Sequence, residues 1–243
     1  MNTLHNFFFN VYPYICLSVF LMGSLARFDR DQYTWKSDSS QLLRKGQLRW
    51  GSNLFHIGIL FLFFGHAVGL LTPHFFYEGI MDASVKQRLA IYAGGTAGVI
   101  CFVGLTLLLH RRIFDDRIRL TSHRTDIGIL VILWVQLVLG LITLPYSYSH
   151  SDGSAMLVLA EWAQRIVTFR PDAAALVVMD WPYKVHLVLG MTIFLLFPFS
   201  RLVHVWSGFG TLAYIARPYQ LVRARRLNLP AGHNQPGNRG AMN

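Results

Sequence analysis

Long apolar stretches alternate with short polar ones up to about residue 216. Five of them reach the roughly 20 residues that an α-helix needs to cross the hydrocarbon core of a bilayer. They cover residues 7–26, 53–71, 89–109, 127–145 and 183–205. Residues 217–243 are polar and rich in Gly, Pro and Asn toward their end. The pattern predicts an all-α integral membrane bundle of five helices over residues 1–216, followed by a cytoplasmic tail, 217–243, that docks a partner and is flexible in its last part.

The composition indicates the same class of protein. Of the 243 residues, 53% are hydrophobic and only 14% are charged, whereas soluble domains are about 25% charged. The net charge of +10 would suit nucleic acid. The basic residues, however, lie between the apolar stretches and form no single patch with interleaved aromatics. The charge therefore reports membrane topology, and no nucleic-acid partner is expected.

Positive charge is divided unequally between the two sides that five crossings define. Seventeen of the 22 Lys and Arg residues fall on one side: six between the first two stretches, five between the third and fourth, and six from Arg201 onward. The other side has two between the second and third stretches and three between the fourth and fifth. Because Lys and Arg collect in cytoplasmic loops, the amino terminus is predicted outside and the carboxyl terminus in the cytoplasm.

The connection before the fifth stretch contains one more apolar segment, AMLVLAEWAQRIVTF. It is too short and too charged to cross a bilayer. Its mixture of apolar and charged residues predicts an amphipathic helix on the outer membrane surface.

Four histidines lie in two of the predicted spans. His56 and His66 are ten residues apart in the second span, and His186 and His204 are eighteen apart in the fifth. The second span runs outward and the fifth inward, so His66 and His186 form an outer pair, and His56 and His204 an inner pair. The separations along the helix axes differ, at about 15 Å and about 27 Å. Tilt of the fifth span and a kink at Pro198 would shorten the longer one.

Paired imidazoles without a carboxylate in the spans predict haem. Neutral imidazole is a common metal ligand that can be buried uncharged. Two such ligands do not complete a tetrahedral zinc site, but they fill both axial positions of a haem. The two cysteines form no C-x-x-C motif, so covalent c-type attachment is excluded and two stacked b haems are predicted. Filled axial positions favour electron transfer over oxygen binding. Each histidine alone would also suit a polar contact between helices.

Two further sets of residues lie near the predicted haems. Gly65 precedes His66 and would leave room for a ligand beside the outer haem. Arg111, Arg112 and Arg201 lie near the inner interface and are candidate partners of the haem propionates. Snorkelling cations that anchor the topology are the alternative explanation for these arginines.

Several sequence motifs resemble one family. The stretches are FFFNVYPYI, QYTW, SNLFHIGIL, LTPH, VKQ, DGS, and HLVLGMTIFLLFPFSRLVH with YQLVRAR. They make the chain similar to the gamma, or cytochrome b, subunit of bacterial membrane-bound respiratory nitrate reductase. The resemblance extends from the amino terminus to about Arg226.

The resemblance implies a function. Such a subunit oxidises quinol near the outer face of the bacterial inner membrane, in contact with lipid. It passes electrons through two b haems to a cytoplasmic iron–sulfur beta subunit and a molybdenum-containing alpha subunit, which reduces nitrate in anaerobic respiration. The resemblance places the haem ligands on His56, His66, His186 and His204. It places the quinol beside Lys86, Gly65 and His66.

Two alternatives remain open at the level of the sequence. The first is the di-haem anchor of another quinone-linked complex, such as a formate dehydrogenase, a hydrogenase or a sulfur-compound oxidoreductase, because the terminal substrate belongs to another chain. The second is a channel or structural anchor in which the histidines are polar contacts between helices.

Overall fold

Five long helices form the described part of the chain, residues 2–30 and 46–207 of a computed structural model. All five are long and apolar enough to cross a membrane. They are α1 (Thr3–Arg30), α2 (Gly46–Leu71), α3 (Ala83–Phe114), α4 (Arg124–Ser149) and α5 (Trp181–Leu196), and the fifth span continues past α5 to Phe199. The predicted all-α arrangement of five spans is confirmed. The predicted tail, 217–243, lies outside the described residues.

The helices extend beyond the apolar stretches that predict them. α3 begins at Ala83 and ends at Phe114, whereas its apolar stretch covers residues 89–109. The apolar pattern marks the part of a helix that needs a hydrophobic environment, and the main-chain hydrogen bonds continue past it. Lys86 therefore lies in the first turn of α3, and Arg111 and Arg112 lie in its last turn.

The helices pack in a definite order. α3 contacts α2 on one side and α4 on the other, α4 contacts α5, and α5 contacts α1. Within the described ranges, α2 and α5 are not among the closely packed pairs. The two histidine-bearing helices therefore stand at a distance from each other while their neighbours hold them in place.

Glycines bring α2 and α3 into close contact. A Cβ atom on Gly58 would lie 2.6 Å from the Cβ of Cys101, and one on Gly104 would collide with the backbone of Phe55. Small residues allow helix backbones to approach closely in membranes, where van der Waals packing drives association. This contact fixes the position of α2 along α3, and thereby the height of His56 and His66 in the bundle.

The predicted amphipathic segment is a helix, Ser154–Val167, here called the surface helix. Its Trp162 Nε1 donates a hydrogen bond to the carbonyl of Phe9 at 3.0 Å. Its Gln164 Nε2 donates to the carbonyls of Leu70 and Thr72 at 3.0 and 3.3 Å. Carbonyls in the last turn of a helix have no partner within the helix. The surface helix therefore supplies a hydrogen-bond donor to the carbonyls at the end of α2.

Candidate metal centres

The four histidines come together in two pairs. The ring centroids of His66 and His186 are 6.3 Å apart, and those of His56 and His204 are also 6.3 Å apart. This is the pairing that the antiparallel spans predict. Two imidazole–metal bonds of about 2 Å, with roughly 1 Å from each nitrogen to its ring centre, give a centroid separation of about 6 Å. Each pair thus has the spacing of two ligands on opposite sides of one metal ion.

Hydrogen bonds set the same tautomer in all four rings. Each Nδ1 lies within bonding distance of a backbone carbonyl: Ser52 for His56 at 2.7 Å, Leu62 for His66 at 2.7 Å, Gln136 for His186 at 3.2 Å and Arg201 for His204 at 2.6 Å. A carbonyl oxygen only accepts, so Nδ1 carries the proton. The lone pair of each neutral ring is then on Nε2, the nitrogen that would bind a metal.

The donor set fits a haem better than a bare metal ion. Among the described residues, no three His, Cys, Asp or Glu side chains are grouped to hold a metal. The histidines come together only in twos. A porphyrin supplies four nitrogens to its iron, and two imidazoles complete the coordination. Zinc would need further protein ligands.

His204 reaches His56 because α5 ends early. The α-helix stops at Leu196, a 3₁₀ turn covers Phe197–Phe199, and Ser200 is extended before a second 3₁₀ turn at Arg201–Val203. A continuous helix would place His204 about 27 Å beyond His186. The histidines of α2 are only about 15 Å apart along its axis, so the break removes the predicted mismatch.

Helix α1 stabilises this break. Arg27 donates hydrogen bonds to the carbonyls of Pro198 and Ser200 at 2.8 and 2.9 Å. A Cβ atom on Gly23 would lie 2.8 Å from the ring of Pro198, so glycine allows the proline to pack on α1. Arg27 thus satisfies carbonyls near the end of α5 that have no partner within the helix. Sequence reasoning did not identify Arg27 or Gly23, because nothing in their spacing links them to residue 198.

Helix α4 positions His186. A Cβ atom on Gly140 would lie 3.0 Å from the Cε1 atom of the His186 ring, so the imidazole lies against the α4 backbone. One turn earlier, Gln136 accepts from His186 Nδ1 through its carbonyl, and its side chain donates to the carbonyl of His186 at 3.0 Å. Sequence reasoning did not single out Gln136, although an amide inside an apolar stretch is a signal that it needs a polar partner.

Two of the three candidate propionate partners share a carboxylate. Arg112 Nη1 lies 3.2 Å and Arg201 Nη1 lies 3.6 Å from Oδ2 of Asp126. Arg112 also donates to Ser122 Oγ at 3.1 Å, and Arg111 is buried with 4% of its surface exposed. The three arginines lie at the end of the bundle opposite Lys86. Their contact with haem propionates stays a prediction, and two guanidinium groups on one carboxylate leave net positive charge there.

Lys86 and Gly65 lie toward the other end of the bundle. The Lys86 ammonium is 3.8 Å from the centroid of the Tyr77 ring. A Cβ atom on Gly65 would meet no atom within 4 Å, and the same is true of Gly94. Gly58 on α2 contacts Cys101 on α3. Because the two helices are antiparallel, Gly65, seven residues after Gly58, lies level with Gly94, seven residues before Cys101. Each of these two glycines thus borders open space. Sequence reasoning did not single out Tyr77 or assign Gly94 to this site.

Gly65 also borders an apolar groove on α2. The groove has a volume of about 530 Å³ and is lined by apolar residues one to two helical turns apart: Ile57, Leu60, Phe61, Phe64, Gly65 and Val68. Its apolar side chains are exposed on the outside of α2, where they would contact lipid in a bilayer.

Comparisons with known proteins identify the family. Residues 5–225 match the nitrate reductase gamma subunit family. The chain is 52% identical to the respiratory nitrate reductase 1 gamma chain of Escherichia coli K12 over 93% of this chain and all of that protein. It is 50% identical to the respiratory nitrate reductase 2 gamma chain of the same organism, over 92% of this chain and 98% of that one.

A more distant relative covers almost as much of the chain. The nitrate reductase gamma chain of Bacillus subtilis 168 is 37% identical over 88% of this chain and 96% of that protein. These matches confirm the resemblance seen in the motifs and favour nitrate reductase over the other quinone-linked complexes. The chain belongs to the nitrate reductase gamma subunit family.

Proposed function

We propose that this chain, the membrane subunit of a respiratory nitrate reductase, oxidises quinol and delivers the electrons to its partner subunits. The observation that carries the proposal is the presence of two imidazole pairs, each with ring centroids 6.3 Å apart and with every Nδ1 bonded to a backbone carbonyl. The outer pair, His66 and His186, and the inner pair, His56 and His204, would each hold one b haem. Bound there, the two haems would supply one-electron carriers between the quinol and the partner subunits.

The residues near Lys86 would bind the quinol. The Lys86 ammonium would donate a hydrogen bond to a quinol oxygen, and the space beside Gly65 and Gly94 would accept the ring. Oxidation to the quinone releases two electrons and two protons. The protons leave on the Lys86 side, and the electrons leave toward the end that carries Arg112 and Arg201.

The direction of charge movement follows from the proposed orientation in the bacterial inner membrane. With the amino terminus outside and the carboxyl terminus in the cytoplasm, Lys86 lies on the outer side and Arg112 on the inner side. An iron–sulfur beta subunit and a molybdenum-containing alpha subunit would dock on the inner side, where nitrate is reduced. Each charge that crosses the full membrane potential stores about 2.3 kcal/mol per 100 mV.

Replacing His66 with Ala tests the outer haem site. We expect one of the two b-haem signals to vanish and nitrate reduction driven by duroquinol to fall to background, because the second axial ligand is lost. Nitrate reduction driven by a reduced viologen dye, which donates directly to the partner subunits, should continue.

His110→Ala is the matched control for this variant. His110 lies in α3 and contacts Gln47 and Phe114, so the change should leave both haems in place. Reduced-minus-oxidised spectra and haem stoichiometry measure the result. An unchanged haem content in His66→Ala would refute the assignment. A wild-type preparation without b-haem bands would instead favour a structural anchor.

Replacing Lys86 with Ala tests the quinol site separately. Both haems should remain, while duroquinol no longer reduces them at the wild-type rate, because the hydrogen-bond donor is missing. Arg88→Ala is the control, since Arg88 is an exposed cation two residues away. Stopped-flow haem reduction measures the effect. Wild-type reduction kinetics in Lys86→Ala would remove this residue from the site.

A further inference from the structure

The environment of the Lys86 ammonium is unusual for a buried cation. Its Nζ atom is inaccessible to solvent, and it has no hydrogen-bond partner among residues 2–30 and 46–207. Its close neighbour is the face of the Tyr77 ring, 3.8 Å from the nitrogen to the ring centroid. A cation over an aromatic face is stabilised by the negative charge of the π-system. The contact holds the nitrogen without a hydrogen bond to a protein oxygen or nitrogen atom.

The Tyr77 ring is itself held in place by the chain around it. Only 8% of Tyr77 is exposed, and it follows the 3₁₀ turn His74–Phe76. Its backbone donates to the carbonyl of His74 at 3.1 Å and accepts from the N–H groups of Ile80 and Met81 at 2.9 Å. Burial raises the pKa of the Tyr77 phenol, so the ring stays neutral at ordinary pH. The Tyr77 ring is therefore held in one position and carries no charge.

The acid closest in sequence to Tyr77 is already paired. Glu78 Oε2 lies 3.0 Å from Nδ1 of His74, and the His74 ring packs on Tyr77 edge to face at 5.0 Å and 71°. A carboxylate beside Lys86 would neutralise the ammonium and occupy one or more of its three donors. An aromatic face does neither. The arrangement keeps the Lys86 nitrogen in one position without a hydrogen-bond partner among the described residues.

We propose that Tyr77 is a positioning residue for quinol, holding the Lys86 ammonium by a cation–π contact so that its N–H groups are available to a quinol oxygen. The inference rests on the proposed quinol site and adds to it the residue that fixes the donor. It predicts that the electron density of the ring face, rather than the phenol oxygen, sets the affinity for quinol.

The test uses the intact complex with duroquinol as donor. Tyr77→Phe keeps the ring and should leave the KM for duroquinol within about twofold of wild type. Phenylalanines carrying one, two and three ring fluorines at position 77 withdraw electrons from the ring face with little change of shape. The KM should rise stepwise along this series, to roughly tenfold. Haem content and dye-driven nitrate reduction should stay unchanged.

Tyr92 provides the control site. It lies exposed on α3, six residues after Lys86, and the same fluorinated series at position 92 should leave the KM unchanged. A flat KM across the series at position 77 would overturn the role of Tyr77, even where Lys86→Ala is defective. Wild-type kinetics in Lys86→Ala would overturn both the proposed quinol site and this inference. A loss of haem in Tyr77→Phe would show a structural role and would also overturn it.

Discussion

At the scale of single residues, the four histidines differ in what orients them. His56 and His66 donate from Nδ1 to carbonyls one turn earlier in α2, and His204 donates to Arg201 three residues before it. These three rings are oriented by their own segments. His186 donates to Gln136 on α4 instead. The outer pair therefore depends on a neighbouring helix in a way that the inner pair does not.

Gly140→Ala tests this dependence. The new methyl group would lie 3.0 Å from His186 Cε1, which is tighter than normal packing, so the ring must move by a few tenths of an ångström. We expect the midpoint potential of one b haem to shift or its occupancy to fall, because the ligand geometry at one iron is changed. The haem of the His56–His204 pair should be unaffected. Redox titration of both haems measures the result.

Gly128→Ala is the matched control on the same helix. A Cβ atom there meets no atom within 4 Å, so both haems should keep their wild-type potentials. If Gly140→Ala altered both haems equally, or neither of them, the contact between α4 and the His186 ring would not control a single site.

At the scale of elements, the end of α5 is shaped by α1. The two carbonyls that Arg27 satisfies belong to Pro198 and Ser200, just before the segment that carries His204. Without these hydrogen bonds, the carbonyls would lose their partner in the bundle. The loss of a partner for a buried polar group costs about 1–3 kcal/mol. Arg27 thus connects the first helix to the inner pair.

Replacing Arg27 with Met keeps the apolar stem and removes the donors. We expect selective loss of the inner haem, because the segment that carries His204 is no longer held, while the outer haem stays. Haem stoichiometry together with spectra of each haem measures the effect. Arg30→Met, an exposed arginine three residues further along α1, should change neither haem. Loss of the outer haem first would contradict the role given to Arg27.

The pairing of the histidines could be predicted from the sequence, whereas the placement of His204 could not. Pairing depends only on which spans run antiparallel, and the number and order of the apolar stretches determine that. The route of the chain after Leu196 depends on contacts with Gly23 and Arg27, about 170 residues away. Pro198 permits a kink, but its direction is set by tertiary packing. The packing of the His186 ring against Gly140 is likewise a contact between separate helices, which the sequence does not predict.

At the scale of the whole molecule, the two histidine-bearing helices are joined through their neighbours. In the part of the chain that the structure describes, the closely packed helices run in the order α2, α3, α4, α5 and α1. α2 and α5 face each other through the imidazole pairs. A group bound to both imidazoles of a pair would connect helices that otherwise have little direct contact. Haem would therefore have a structural role as well as an electronic one.

Removal of haem should lower stability, and it should do so unevenly. A ligand that binds only the folded state stabilises it by about 4 kcal/mol at a thousand times its Kd. We expect His56→Ala to lower the temperature at which half of the purified chain aggregates, and the double variant His56→Ala with His66→Ala to lower it further. His123→Ala, before the start of α4, is the control and should match wild type.

Hydrogen exchange in His56→Ala would show which segments lose amide protection when haem is missing. α2 keeps its glycine contact with α3 whether or not haem is bound, so its amides should stay protected. Residues 197–204 form short 3₁₀ turns and depend on contacts with other segments, among them the hydrogen bonds from Arg27, the contact of Arg201 with Asp126 and the haem that His204 would bind. Their protection should therefore fall most in His56→Ala. An equal loss of protection in α2 and in 197–204 would mean that haem stabilises the bundle as a whole and does not specifically connect the end of α5 to α2.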